Sequence, residues 1–264
     1  MKFPCLMFST ILTLLTHLAV ADESYIFGVV PQTSASQTAK DWTPILKYLE
    51  DHTGKKFRLA TTRTIPLFSQ RVGEEKYDFV YMNPTDYVKY QDKDRYSAIA
   101  RARNFKLKGI IVVRKDSSIE TLGDLNNKEL AVPAYSFAAD TLARAAVHEN
   151  ASGVKISPVA VPDAVYRAVA QGHYIAGSGE MRTFNHTAPE YREQLRVVWT
   201  SEGYAPQAFT AHARVPKDVV QAVQEALIDM DQDPIAKKYL KTIAPEGLDY
   251  ARDIDWDDTR KLDI

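Results

Sequence analysis

The chain has 264 residues, 45% of them hydrophobic and 25% charged, which excludes a disordered or fibrous protein and gives one or two domains enough chain for substantial cores. Its 33 basic and 34 acidic residues leave a formal charge of −1, so no global basic field exists to hold a nucleic acid or an anionic membrane surface. Cys5 is the single cysteine, which excludes an internal disulfide framework and any cysteine-built zinc or iron–sulfur site.

Lys2, an apolar run over residues 3–18 and the closing Ala19-Val20-Ala21 have the order of a secretory signal peptide, expected over residues 1–21 with cleavage before Asp22. The run is broken by Ser9, Thr10, Thr13, Thr16 and His17 and falls short of the roughly 20 apolar residues of a membrane helix. No later segment approaches that length, so the exported body is expected to be water-soluble and free of cysteine.

Strand and helix patterns then alternate. Residues 25–30 predict a buried strand stopped by Pro31. Trp42, Ile45, Leu46 and Leu49 share one face of a helix that ends near Gly54. A second strand is expected over 57–60, a short helix from Pro66 through Val72, and a third strand over 77–82, with Pro84 placed at the next helix start. This β-α-β-α-β order predicts a parallel sheet wrapped by helices. A second series follows: strands over 109–113, 130–132, 159–161, 175–176 and 195–199, and helices over 119–125, 137–148 and 164–170. Gly177-Ser178-Gly179 is expected as a tight strand-to-helix turn. The tail carries a strong helix over 216–230, with Val219, Val220, Val223, Leu227 and Met230 on one face, then helical pieces over 235–240 and 257–262. The pattern predicts two α/β lobes, with residues 22–108 plus 205–264 in the first and 109–204 in the second.

Catalytic and metal motifs are absent from the sequence. His52, His148, His173, His186 and His212 form no ligand spacing, there is no Walker A or G-x-G-x-x-G, and Ala176 spoils a G-x-S-x-G turn. Asp253, Asp255, Asp257 and Asp258 lack the glycine and glutamate of a calcium loop and predict a solvated, helix-capping stretch. No cofactor or metal is expected. What remains is polar residues where strands end and helices begin, the place where open α/β sheets hold ligands. Gln32, Tyr81 with Asn83, Tyr135-Ser136-Phe137, and Arg182-Thr183 mark four such junctions. Each alone is explained by helix capping or surface pairing. Jointly they predict one interlobe cleft, with Arg182 as the fork for an oxyanion or carboxylate and Tyr135 and Phe137 as an apolar wall.

Several segments occur in an order that resembles a known family: Phe27-Gly28-Val29-Val30-Pro31-Gln32, Trp42-Thr43-Pro44 through Thr53-Gly54, Tyr77-Asp78-Phe79-Val80-Tyr81, Lys115-Asp116-Ser117-Ser118-Ile119 with Leu122 and Leu125, and Ala168-Val169 through Ala176-Gly177. They resemble the periplasmic phosphate/phosphite/phosphonate-binding proteins of ABC transporters. The resemblance implies a two-lobed α/β fold of the type II periplasmic binding protein kind, its lobes joined by two hinge strands. It also implies a non-enzymatic protein of the periplasm that captures a small anionic ligand, with a membrane ABC permease or the periplasmic sensor domain of a histidine kinase as partner and no nucleic acid. Arg182-Thr183 is similar to an R-T pair in relatives linked to sensor kinases. Tyr135-Ser136-Phe137-Ala138 departs from the family's Ser-Thr-Ser-Gly-like run, and Pro162-Asp163 lacks its histidine. The ligand is therefore open among a phosphonate, another oxyanion and an organic acid. The rival reading is a hydrolase or transferase on the same fold, with Glu180 as its general base.

Overall fold

The computed structural model describes residues 24–91, 95–159 and 162–262. The expected signal segment, and the 160–161 end of one expected strand, lie outside the described residues.

The first predicted strand is β1 (Ser24–Val29). It leads into α1 (Ala35–Thr53), where Ser34 Oγ accepts from Gln37 N at 3.2 Å and Gly54 closes the helix at φ 67°. The helix buries Trp42, Ile45, Leu46 and Leu49, the face given by their spacing. Next come β2 (Lys56–Ala60), α2 (Ile65–Gly73), β3 (Phe79–Met82) and α3 (Pro84–Gln91). β1 pairs in parallel with both β2 and β3, as the alternating pattern requires.

The sheet is nevertheless mixed. β4 (Tyr96–Ala102), β10 (Ala208–His212) and β11 (Leu248–Tyr250) extend it to the order β11-β4-β10-β3-β1-β2, with β10 antiparallel to β3 and β4. None of these three follows from the sequence pattern. β4 is rich in alanine, which has little strand preference. β10 is buried at every residue and so lacks alternation, and β11 is three residues long.

The second sheet has the order β7-β6-β8-β5-β9, from β5 (Gly109–Arg114), β6 (Glu129–Pro133), β7 (Lys155–Val159), β8 (Ala176–Glu180) and β9 (Leu195–Thr200). A 3-10 turn, Leu122–Leu125, and a π-helical stretch, Phe137–Leu142, that continues into α4 (Ala143–Asn150) cover one face. α5 (Pro162–Ala170), α6 (Met181–Asn185) and α7 (Pro189–Arg192) lie on the other side. The chain passes between the sheets twice, from β4 to β5 and from β9 to β10. The tail, with α8 (Lys217–Asp229), a 3-10 helix (Ala236–Thr242), a 3-10 turn (Asp253–Trp256) and α9 (Asp257–Arg260), packs into the core of the first sheet. No helix among the described residues is long and apolar enough to cross a membrane.

Two local expectations are corrected. Gly177-Ser178-Gly179 is strand rather than turn, fully buried within β8. Its glycines let α5 lie close: a Cβ on Gly177 would come 2.4 Å from Val165 Cγ1, and one on Gly179 only 1.9 Å from the Tyr166 hydroxyl. That hydroxyl donates to Glu180 O and accepts from Glu180 N, each at 3.0 Å, which fixes the strand end. The aspartates of the tail are not merely solvated. Asp253 accepts from the Tyr87 hydroxyl at 2.8 Å, Asp255 from Arg101 Nε at 3.0 Å, and Asp258 from Ala205 N at 2.9 Å and Lys106 Nζ at 3.1 Å.

The contact at Gly179 carries a stability prediction. Gly179→Ala should cost about 1–3 kcal/mol in urea unfolding through overpacking against Tyr166. Tyr166→Phe in the same chain should recover part of the loss, because the nearest clashing atom is the hydroxyl. An unfolding midpoint unchanged by Gly179→Ala would contradict the close packing of α5 on β8.

Candidate functional site

The carboxyl ends of the parallel strands of both sheets open onto one cleft of about 1090 Å³. The ends of β1, β2 and β3 supply Pro31 to Ala35, Thr61 to Leu67 and Asn83; those of β6, β7 and β8 supply Pro133 to Ser136, Pro158 with Val159, and Glu180 with Thr183. This convergence follows from parallel pairing, which points strand ends and the following helix starts the same way. Ser34 caps α1 at the cleft wall, where first-turn N–H groups and the positive end of a 19-residue helix are directed outward.

Of the residues expected from the sequence, Gln32, Asn83, Tyr135, Ser136 and Thr183 line this cleft. Gln32 Nε2 donates to Asn83 Oδ1 at 3.4 Å. Ser136 caps the π-helical stretch by accepting from Ala139 N. Thr183 Oγ1 donates to Glu180 O at 2.8 Å and lies 2.9 Å from the Tyr166 hydroxyl.

Tyr81, Phe137 and Arg182 lie elsewhere. Tyr81 is buried beneath the cleft, its ring centroid 4.8 Å from those of both Trp42 and Phe209, and its hydroxyl donates to Gln207 Oε1 at 3.2 Å. β3 is buried on both faces, so no side of it is left for a ligand. Phe137 turns into a small core with Leu107 and Leu142, edge-on to Tyr204, because burial of its ring against the crossing segments is the more favourable direction. The apolar wall therefore consists of Tyr135 without Phe137.

Arg182 is drawn away from the cleft by its own neighbours. Its Nε is 3.4 Å from Glu180 Oε1, Nη1 donates to Ile243 O and Nη2 to Gln32 Oε1, both at 3.4 Å, and the guanidinium sits 5.0 Å over the Phe105 ring. It bridges residues of the second sheet to residues of the first. Glu180 is 7% exposed, and its Oε1 is buried without a hydrogen-bond partner among the described residues; the contact with Arg182 is an ion pair by distance only. Burial pushes the Glu180 carboxyl above its ordinary range, and Arg182 pulls it part of the way back.

Sequence reasoning passed over the junction after β2. Thr61, Thr62, Arg63 and Thr64 line the cleft there, with Arg71 about two helix turns beyond. The signal was present: a run of hydroxyls ends a strand and precedes Pro66 at the helix start, with Thr64 as the cap. Neither Arg63 nor Arg71 has an acidic partner among the described residues, as is also true of Arg58, Arg167 and Arg192 outside the cleft, whereas Arg95, Arg101, Arg103, Arg114 and Arg144 are ion-paired. No cluster of three potential metal ligands occurs among the described residues.

The Glu180–Arg182 pair makes Arg182 a determinant of stability. Arg182→Ala should lower the stability of the unliganded protein at pH 7 by roughly 3 kcal/mol, since it strands a buried carboxylate. The folded-state pKa of Glu180 lies above that of the unfolded chain, so the stability linked to it is full at low pH and is lost as pH rises through the folded value. The defect should therefore shrink toward pH 4, and Glu180→Gln should relieve it at pH 7. Wild-type melting of Arg182→Ala at pH 7 would contradict the pairing.

Known proteins share this architecture. A family model described as the periplasmic phosphonate substrate-binding protein of ABC transporters matches residues 27–256. Among solved structures, PhnD1 of Prochlorococcus marinus in complex with methylphosphonate superposes with a TM-score of 0.81 at 13% identity, over 91% of this chain and 97% of that one. A binding protein component of a phosphonate ABC transporter from Pseudomonas aeruginosa gives 0.79 at 16% identity, over 90% and 84%. A protein of Xanthomonas citri bound to ATP gives 0.71 at 14%, over 88% and 92%. At these identities the structures bear on the fold, which is that of a two-lobed type II periplasmic binding protein, and the family model bears on the kind of protein. The chain belongs to the phosphonate family of periplasmic substrate-binding proteins of ABC transporters.

Proposed function

We propose that this protein, exported by its N-terminal signal, captures a small anionic ligand between its two lobes and presents it to a membrane permease. The family brings a small-molecule ligand and an ABC permease; the sign of the ligand's charge is the finer claim. The observation that carries it is the pair of arginines without acidic partners, Arg63 and Arg71, in a cleft that also offers Ser34, Thr61, Thr62, Thr64, Ser136 and Thr183. Guanidinium groups and hydroxyls are donors suited to an oxyanion, and the α1 amino end adds to the same field. The relatives from Prochlorococcus and Xanthomonas were each solved with a phosphorus oxyanion, methylphosphonate and ATP. In this reading the first lobe's residues, 22–108 plus 205–264, close on the second lobe's, 109–204, by rotation about the two crossing segments.

The reading as a binding protein is favoured over the enzymatic alternative because the cleft hydroxyls of Ser34, Thr61, Thr62, Thr64 and Ser136 are hydrogen-bonded to backbone groups and none to a carboxylate or histidine base among the described residues. Binding is what the cleft supports. We retain the permease as the partner, since Arg182, the residue behind the comparison with kinase-linked relatives, is engaged within the protein.

Calorimetric titration with methylphosphonate, inorganic phosphate and acetate tests the anion claim. Arg63→Ala and Arg71→Ala should each weaken the tightest of these by about tenfold, or ~1.4 kcal/mol, and the pair of changes by more. Both side chains are on exposed positions, so the unliganded melting temperature should stay put. Unchanged affinity in the double variant, or no binding of any oxyanion, would overturn the reading.

A further inference from the structure

We propose that the cleft selects an oxyanion carrying a planar apolar substituent, and that Tyr135 is the platform on which this substituent stacks. The inference rests on the anion-binding reading above and adds the class of group attached to the anion. Tyr135 has φ +66°, in the left-handed region. Asparagine occupies that region readily because its short amide bonds locally; a tyrosine has no such compensation. Two of the other non-glycine residues in this conformation, Asn104 and Asn127, are asparagines.

The strained backbone is held in place. Tyr135 N donates to Asp140 Oδ2 at 2.6 Å, and buried Asp140 is itself paired with Arg144. Neither backbone preference nor core packing accounts for a tyrosine here, because its side chain is 65% exposed. It is the one aromatic among the described residues lining the cleft. Strain and an uncovered ring at a single position are marks of a functional contact.

The surroundings fit an apolar occupant. Ile65 and Leu67 line the cleft from the first lobe, with Leu67 38% exposed, and Pro158 and Val159 line it from the second. At about 1090 Å³ the cleft in this unliganded conformation lies just above the ordinary range for ligand pockets and has room for a substituent as large as a ring. A ligand with an anionic head on the hydroxyl and arginine side and a flat ring against Tyr135 would occupy both surfaces. Offset or edge-on stacking on a tyrosine ring adds to simple burial of the same area.

The test compares phenylphosphonate with methylphosphonate by calorimetric titration on the full mature chain, in wild type, Tyr135→Phe and Tyr135→Gly. Glycine adopts φ +66° without steric cost, so Tyr135→Gly should melt no lower than wild type and any loss of binding belongs to the ring. Phenylphosphonate should bind at least tenfold tighter than methylphosphonate to wild type and to Tyr135→Phe, and less than threefold tighter to Tyr135→Gly. Equal affinity of the two ligands for wild type, or a phenyl preference that survives in Tyr135→Gly, would overturn this inference and leave anion binding intact. Binding of neither ligand would overturn both, by removing the anion reading itself.

Discussion

Two short antiparallel segments carry the chain between the sheets, and the arrangement of everything else depends on their pairing. Leu107 N donates to Tyr204 O at 2.8 Å and Tyr204 N returns to Leu107 O at 2.9 Å. One step further, Ser201 N donates to Gly109 O at 2.8 Å and Gly109 N to Ser201 Oγ at 2.9 Å. Asp258 of the tail clamps the same ribbon through Ala205 N and Lys106 Nζ. A paired ribbon resists shear along its length but bends across it. It keeps the carboxyl ends of the two sets of parallel strands opposed, and in the closure proposed above it would serve as the hinge. Gly109 is required at the centre, for a Cβ there would come 2.4 Å from Ala138 O.

Much of the fold was legible because hydrophobic spacing and turn chemistry agree along the chain. The face of α1, the strands on either side of it and the α8 face follow from periodicity, and the resemblance at residues 27–32 and 77–81 supplied the lobe architecture. β10 was not legible: it is buried on both sides and gains its identity from β3 and β4, which no local window contains. The reading of Gly177-Ser178-Gly179 as a turn failed for a related reason. Glycine ordinarily marks turns, but here it makes room for the Tyr166 and Val165 side chains of α5, a contact visible only in three dimensions.

Site residues were legible by address and not by direction. Each junction named from the sequence does lie at a strand end, yet Tyr81 and Phe137 point inward and Arg182 is taken up by Glu180, Gln32 and Ile243. Burial decides the first two, and charge pairing the third. The cleft compensates from the other lobe. Where the family's short hydroxyl run is replaced by Tyr135-Ser136-Phe137-Ala138, the loop after β2 contributes Thr61, Thr62, Arg63 and Thr64. In the anion-binding reading proposed above, the donors would come from side chains of the first lobe as well as from the second lobe's helix start.

The central claim is that ligand capture is a closure of the two lobes about the paired crossings. Because Cys5 is the chain's single cysteine and lies in the expected signal segment, the mature protein offers a clean background for site-directed spin labels. Labels on exposed Glu74 of the first lobe and exposed Lys155 of the second would report the interlobe distance directly. Saturating phenylphosphonate or methylphosphonate, whichever calorimetry shows to bind, should shorten and narrow the distance distribution measured by pulsed electron resonance. A distribution that is identical with and without bound ligand would contradict the account.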